Sequence, residues 1–147
     1  MASLHENLKA AVTDAAGALA LPLGWEGEVF APPAGPHLRG RIVYEDESAA
    51  ALGRHAPRRI VGHVSVTAVV MAGEPDADAR AVALARRVSA FFARGRGLDC
   101  TGTEGTGEAV FGAPQILTAK ADGARMRAEA RMPFIALLFP ANEHTGG

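Results

Sequence analysis

Five histidines, one cysteine and a scatter of carboxylates are the side chains from which any chemistry would have to be built. His5, His37, His55, His63 and His144 are never three or four residues apart, so no two share a helix face as a histidine-bound zinc would need. Cys100 alone supplies no thiolate framework and has no local nucleophile signature, and no Gly-x-Ser-x-Gly elbow occurs. Asp46, Glu47, Glu104 and Glu108 sit in segments that read as loops or loop margins, where a carboxylate is ordinarily just solvated. The run Gly102-Thr103-Glu104-Gly105-Thr106-Gly107 has the composition of a phosphate cradle, but backbone amides hold phosphate where such a loop opens into a helix. This run lacks Gly-Lys-Ser/Thr and leads toward apparent strand at Val110-Phe111, so it reads as a flexible loop. The expectation is no catalytic residue, no metal and no cofactor. A small α+β enzyme or ligand-binding domain is the competing reading, and it requires a concave pocket with convergent polar groups.

The elements that would hold these residues centre on Arg59 to Arg94. Ile60, Val61, Val64, Val66, Thr67, Val69 and Val70 are branched at Cβ, which suits a pleated, half-buried surface, and predict a central strand. His63 lies on the parity of Val61, Ser65, Thr67 and Val69, a place for a polar or interfacial histidine. Gly73-Glu74-Pro75-Asp76 breaks the strand, with Asp76 placed to cap a helix and Asp78 in its first turn. Ala81, Leu84, Ala85, Val88 and Phe91 or Phe92 then recur at helical spacing, opposite Arg80, Arg86, Arg87 and Arg94, and Gly95 ends the helix. A single apolar stripe needs another layer, so this helix is expected to lie on the sheet.

Toward the N-terminus, Ser3-Leu4-His5-Glu6 has capping-box spacing, and Leu4, Leu8, Val12, Ala15 or Ala16 and Leu19 continue a helical stripe that Pro22 stops. Trp25 and Phe30 follow in a proline-rich extended arm, Leu23 to Leu38, that cannot sit inside a sheet. Their rings must dock on their own core or on a neighbouring subunit. Leu38 to Glu45 alternates as a strand with one wet face, and Asp46 to Arg58, with Ala49 to Ala51, Gly53 and Pro57, reads as a long polar hairpin loop. Leu98-Asp99-Cys100 suggests a short strand. Asp122-Gly123 marks a two-residue hairpin whose second arm alternates Ala124, Met126, Ala128, Ala130 and Met132 with Arg125, Arg127, Glu129 and Arg131. Pro133 is expected to interrupt that arm, leaving Phe134 to Phe139 as a short apolar run buried on both sides, partly by another copy. The fold class is α+β: a mostly antiparallel sheet, an N-terminal helix and a second amphipathic helix packed on it.

With 147 residues, the chain has the length of one domain, expected over 1–147 with a flexible tail at about 141–147. A formal net charge of −1 gives no warrant for a nucleic-acid or anionic-membrane partner. No stretch reads as a signal peptide or a spanning helix, and the single cysteine cannot form an internal disulfide; a reducing cytoplasm is the simplest setting.

Together these pieces resemble the tail terminator, or tail-completion, proteins of long-tailed phages and phage-derived particles. The resemblance is carried by the N-terminal helix, Trp25-x-Gly27, Phe30-x-Pro32-Pro33-x-Gly35-Pro36-x-Leu38-Arg39, Arg58-Arg59-Ile60-Val61-Gly62-His63-Val64-Ser65-Val66, the helix ending Phe91-Phe92-Ala93-Arg94-Gly95, and Met132-Pro133-Phe134. It implies a virion structural protein, assembled in the host cytoplasm, whose hexameric ring caps the head-proximal end of the tail tube. Such a ring halts tube polymerisation and joins the tail to the neck or head-completion protein, with DNA only passing through the lumen. A neck or head-tail connector subunit would share the same composition and ring logic. Under this reading Trp25, Phe30, Pro32, Pro33, Leu38, Phe134 and Leu137 are expected at the subunit interface. Asp46, Glu47, Arg54, Arg58, Arg96 and Glu104 are expected on loops that meet tube or neck, with no membrane involved.

Overall fold

The computed structural model describes residues 2–49, 56–102 and 105–140. In chain order these form α1 (Ala2–Ala18), β1 (Leu23–Trp25), β2 (His37–Ala49), β3 (Arg58–Met71), α2 (Ala77–Ser89), β4 (Gly97–Asp99), β5 (Gly105–Phe111), β6 (Gln115–Ile116), β7 (Lys120–Asp122) and β8 (Arg125–Pro140). The sheet runs β1-β2-β3-β8-β5-β4, and β6 and β7 continue the line of β5 along β8. Only β1 on β2 is parallel; the other pairings are antiparallel, as the α+β reading requires.

Strand parity divides the sheet into two faces. On β3, Ile60, Val64, Val66, Ala68 and Val70 join the core, and on β8 Ala128, Ala130, Met132 and Ala136, with Phe134 opposite Gly62, do the same. Leu4, Leu8, Ala11, Val12, Ala15 and Ala16 of α1 complete that core together with Ala77, Ala81, Leu84, Ala85 and Val88 of α2. Both apolar stripes expected from the sequence are therefore the buried faces of their helices. The capping details differ. Helix α1 already includes Ala2, which puts Ser3 inside the helix, and Asp76 occupies the N-cap position of α2 in a left-handed conformation without a side-chain cap bond. Asp78 accepts from the Ala79 amide at 2.8 Å instead, so the negative charge the helix dipole favours comes from the first turn.

Strand boundaries also depart from expectation. The segment from Asp46 is not loop: β2 extends to Ala49, and Asp46, Glu47, Ser48 and Ala49 pair with Val61, Ile60, Arg59 and Arg58 after a bulge beyond Tyr44. Backbone pairing does not require apolar side chains, and a bulge lets a polar stretch re-enter register. Gly105, Thr106 and Gly107 belong to β5, so the glycine-rich run is partly strand. Pro133 does not interrupt β8, which continues to Pro140. Its carbonyl accepts from the Gly112 amide at 2.8 Å, and the amide and carbonyl of a strand residue point to the same side. The missing donor therefore faces Gly112, just beyond the end of β5, so the proline gives up one bond at the margin of the ladder and not within it. The final hairpin pairs Asp122 with Arg125, so its two-residue turn is Gly123-Ala124, one position later than expected, with Gly123 at φ 61.

The middle of the core is aromatic. Phe92 meets Phe111 edge-on at 5.2 Å between centroids, Phe111 meets Phe134 at 6.3 Å, and Phe134 meets Tyr44 at 6.2 Å. Edge-to-face geometry of this kind adds to the burial of the rings. The Tyr44 hydroxyl shares a 2.8 Å hydrogen bond with His5 Nδ1 of α1, and burial with the nearby Cys100 pushes the phenol up to about 12.

Candidate functional site

Both helices cover one face of the sheet, which leaves the other face, carrying the odd-numbered residues of β3 and β8, as the surface available for function. It is divided in two along β8. At the N-terminal end of β8, Arg125, Arg127, Glu129 and Arg131 stand beside Ser65 and Thr67 of β3 and Arg39 and Arg41 of β2. Ser65 Oγ donates to Glu129 Oε2 at 2.6 Å and Arg131 Nε donates to the same oxygen at 2.8 Å. Burial works to raise the Glu129 carboxyl, but these two donors and the Arg131 charge outweigh it and hold the group below the usual carboxylate range. Arg41 lies 3.5 Å from Glu26 and Arg127 2.9 Å from Asp122. The result is a cleft of about 450 Å³ walled by charged side chains.

His37 closes one end of that cleft, 2% exposed, with Nδ1 donating to the Gly35 carbonyl at 3.1 Å and Phe30 against its ring. Burial holds its pKa below the ordinary 6.5, with Arg125, Arg39 and Arg127 acting in the same sense against the Gly35 bond. The folded chain thus binds fewer protons here than the unfolded chain. The stabilisation is present above about pH 6.5 and is lost as pH falls through the window below it. Urea unfolding is expected to show a stability loss between about pH 7 and about pH 5 that is smaller in His37→Asn, since Asn carries no proton to take up.

Toward the C-terminal end of β8 the same face becomes apolar. Ile135, Leu137 and Phe139 are 44%, 40% and 50% exposed, and Val110 of β5, paired with Ile135, is 43% exposed. Asp99, Thr101, Thr106 and Glu108 edge this strip.

The residues singled out from the sequence fall in different places. Leu137 lies in the strip. Leu38 and Phe134 are 0% and 1% exposed within the chain's own core, so their side chains offer nothing to a neighbour. Trp25 and Phe30 dock on opposite faces of the sheet edge, each over a glycine. A Cβ on Gly40 would come within 2.8 Å of the Trp25 ring, and one on Gly24 within 2.4 Å of the Phe30 ring. Lys9 caps the Trp25 ring at 5.0 Å and Arg39 the Phe30 ring at 5.1 Å. Pro32 and Pro33 belong to the same arm, in which Val29 is 106% exposed. Glu47 and Arg58 form an ion pair at 2.8 Å across the β2–β3 hairpin, and Asp46 is exposed beside them. Arg96 stacks on Phe92 at 5.3 Å and donates to the Phe91 carbonyl. Arg54 and Glu104, with the tail at 141–147, lie outside the described residues.

Val110, Ile135 and Phe139 were missed individually, although a signal for two of them was present. Extending the apolar parity of Ala124 to Met132 through Pro133 puts Phe134, Ala136 and Leu138 inside, and so puts Ile135, Leu137 and Phe139 on the charged face.

No group of three or more His, Cys, Asp or Glu that could hold a metal occurs among the described residues. Burial pushes the Cys100 thiol up to about 11. The cavity beside it is about 240 Å³, and its two opposite charges, Glu47 and Arg58, pair with each other. No described helix is long and apolar enough to cross a membrane.

The family described as "Phage tail terminator protein" matches residues 3–134. A solved structure superposes with a TM-score of 0.71 at 20% sequence identity, covering 95% of this chain and 96% of that one, which shows the fold. The search of curated proteins found no match.

Proposed function

This chain belongs to the phage tail terminator protein family, which gives it a structural role in a phage tail, and we propose that it acts as one domain assembled into a ring of six copies. The ring caps the head-proximal end of the tail tube, stops addition of tube subunits and presents its far side to the neck or head-completion protein, with DNA passing through its lumen. Its place is the tail–neck junction of the virion, and its work is docking and not catalysis.

The observation that carries this reading is the uncovered strip of Val110, Ile135, Leu137 and Phe139. Four large apolar side chains side by side on one face are the mark of a surface made to be covered by protein. Head-to-tail contacts between copies close into a ring when the rotation is right, so one such strip per copy suffices. The arm anchored by Trp25 and Phe30 presents Val29, Pro32 and Pro33 at one sheet edge, and we assign it to the contacts around the ring. The β2–β3 hairpin, with Asp46, Glu47 and Arg58, is assigned to the rims that meet tube and neck, together with Arg54, Arg96 and Glu104. The test is native mass over a concentration series, with the chain alone and with tail-tube protein, where a discrete hexamer is expected.

A further inference from the structure

Building on the ring reading, we propose that successive copies are joined by the acid-edged strip of one copy and the arginine-bearing groove between α2 and β6 of the next. The strip offers Val110, Ile135, Leu137 and Phe139, with the acids Asp99 and Glu108 along its β4–β5 side and the exposed Arg59 of β3 paired with Leu137 on the other side. Asp99 accepts from the Thr101 amide at 2.8 Å, and the Thr101 hydrogen bonds hold its carboxyl below the usual range, so it stays charged. Whatever covers the strip has to bring an apolar centre, with a cation toward the Asp99 and Glu108 side.

The chain carries such a surface itself. A groove of about 480 Å³ runs between α2 and the segment through β6, with Val82, Ile116 and Leu117 along it and Arg86 at its edge. Arg87 follows on the exposed side of α2, and among the described residues neither arginine has an ion-pair partner, whereas Arg80 is held by Glu74. The one acid in the groove, Asp78, accepts from the Ala79 amide at the start of α2.

Position supports the pairing as well as charge. Ile116 pairs with Ala130, on the helix-covered face, and Val110 pairs with Ile135, on the open face. Each copy therefore presents the strip on one side of its sheet and the groove on the other, and uses both at once. That is the heterologous arrangement a closed ring needs, since a self-complementary patch would stop at a dimer. Opposite charges around an apolar centre also fix register and disfavour strip meeting strip.

The full chain is tested by native mass and sedimentation, with circular dichroism as the check on folding. Leu137→Glu is expected to abolish rings while leaving the dichroism unchanged. Glu108→Arg and Arg86→Glu should each weaken assembly about tenfold or more, the scale of a close charge pair across an interface. The double variant should return to within about threefold of wild type, because it restores an opposite-charge pair. Additive losses in the double variant, or wild-type rings in all three, would overturn the assignment. Rings that survive every substitution but no longer stop tube growth would give the strip to the tail-tube protein and leave the ring itself standing. A wild-type chain that forms no ring, alone or with tube protein, removes both readings.

Discussion

Phe134→Ala is expected to lower the unfolding free energy by about 3–5 kcal/mol, the range for truncating a buried phenylalanine. Phe134 is 1% exposed and stands between Phe111 and Tyr44, so its removal deletes two edge-to-face contacts as well as the transfer term. The space cannot collapse easily, because Phe134 is paired with Gly62 on β3 and Phe111 on β5, and both neighbours are pinned by the ladder. A domain with a typical stability of about 5–15 kcal/mol would lose about a fifth of it or more. Urea unfolding with an unchanged denaturant slope is the measurement. A loss below about 1 kcal/mol would mean that the aromatic centre repacks and does not organise the core. The same variant separates core from interface, since the defect should appear in the unassembled chain.

Gly62→Ala should cost about 3 kcal/mol or more, at the upper end of overpacking penalties. A Cβ there would stand 2.2 Å from the Val43 carbonyl oxygen and 3.0 Å from the Phe134 ring. The oxygen belongs to the backbone of β2 one residue before the bulge register shift, so relief requires β2 to move away from β3 instead of a side chain turning aside. Gly62 thus fits a position where two strands and a ring converge, a requirement of space in a sequence otherwise dense with β-branched residues. A near-neutral result, read by the same urea titration, would show that the hairpin can open at its bulge without loss.

Both sites illustrate what the sequence made legible. The periodicities of α1 and α2 and the parity of β8 are local patterns that appear in the structure with their expected buried faces, and the β-branched run forms the interior strand β3. The polar half of β2 was not legible, because a strand held by its ladder and a bulge leaves no apolar alternation. Pro133 misled for a related reason: a proline removes one donor, and only the topology reveals that the position lies just beyond the end of β5. The docking of Trp25 and Phe30 depended on Gly40 and Gly24 lying beneath them, a pairing that becomes visible only when β1 lies parallel to β2. The interaction strip was half legible, since parity through β8 identifies Ile135, Leu137 and Phe139, whereas Val110 joins them only through the pairing of β5 with β8.

The measurement that bears most directly on the proposed function is native mass spectrometry of the chain across a concentration series, with negative-stain imaging of the same samples and a parallel series containing tail-tube protein. The account predicts a discrete sixfold ring, formed alone or on the tube end, together with tubes that cease to lengthen. A chain that stays monomeric in both series while tubes grow unchecked would contradict it.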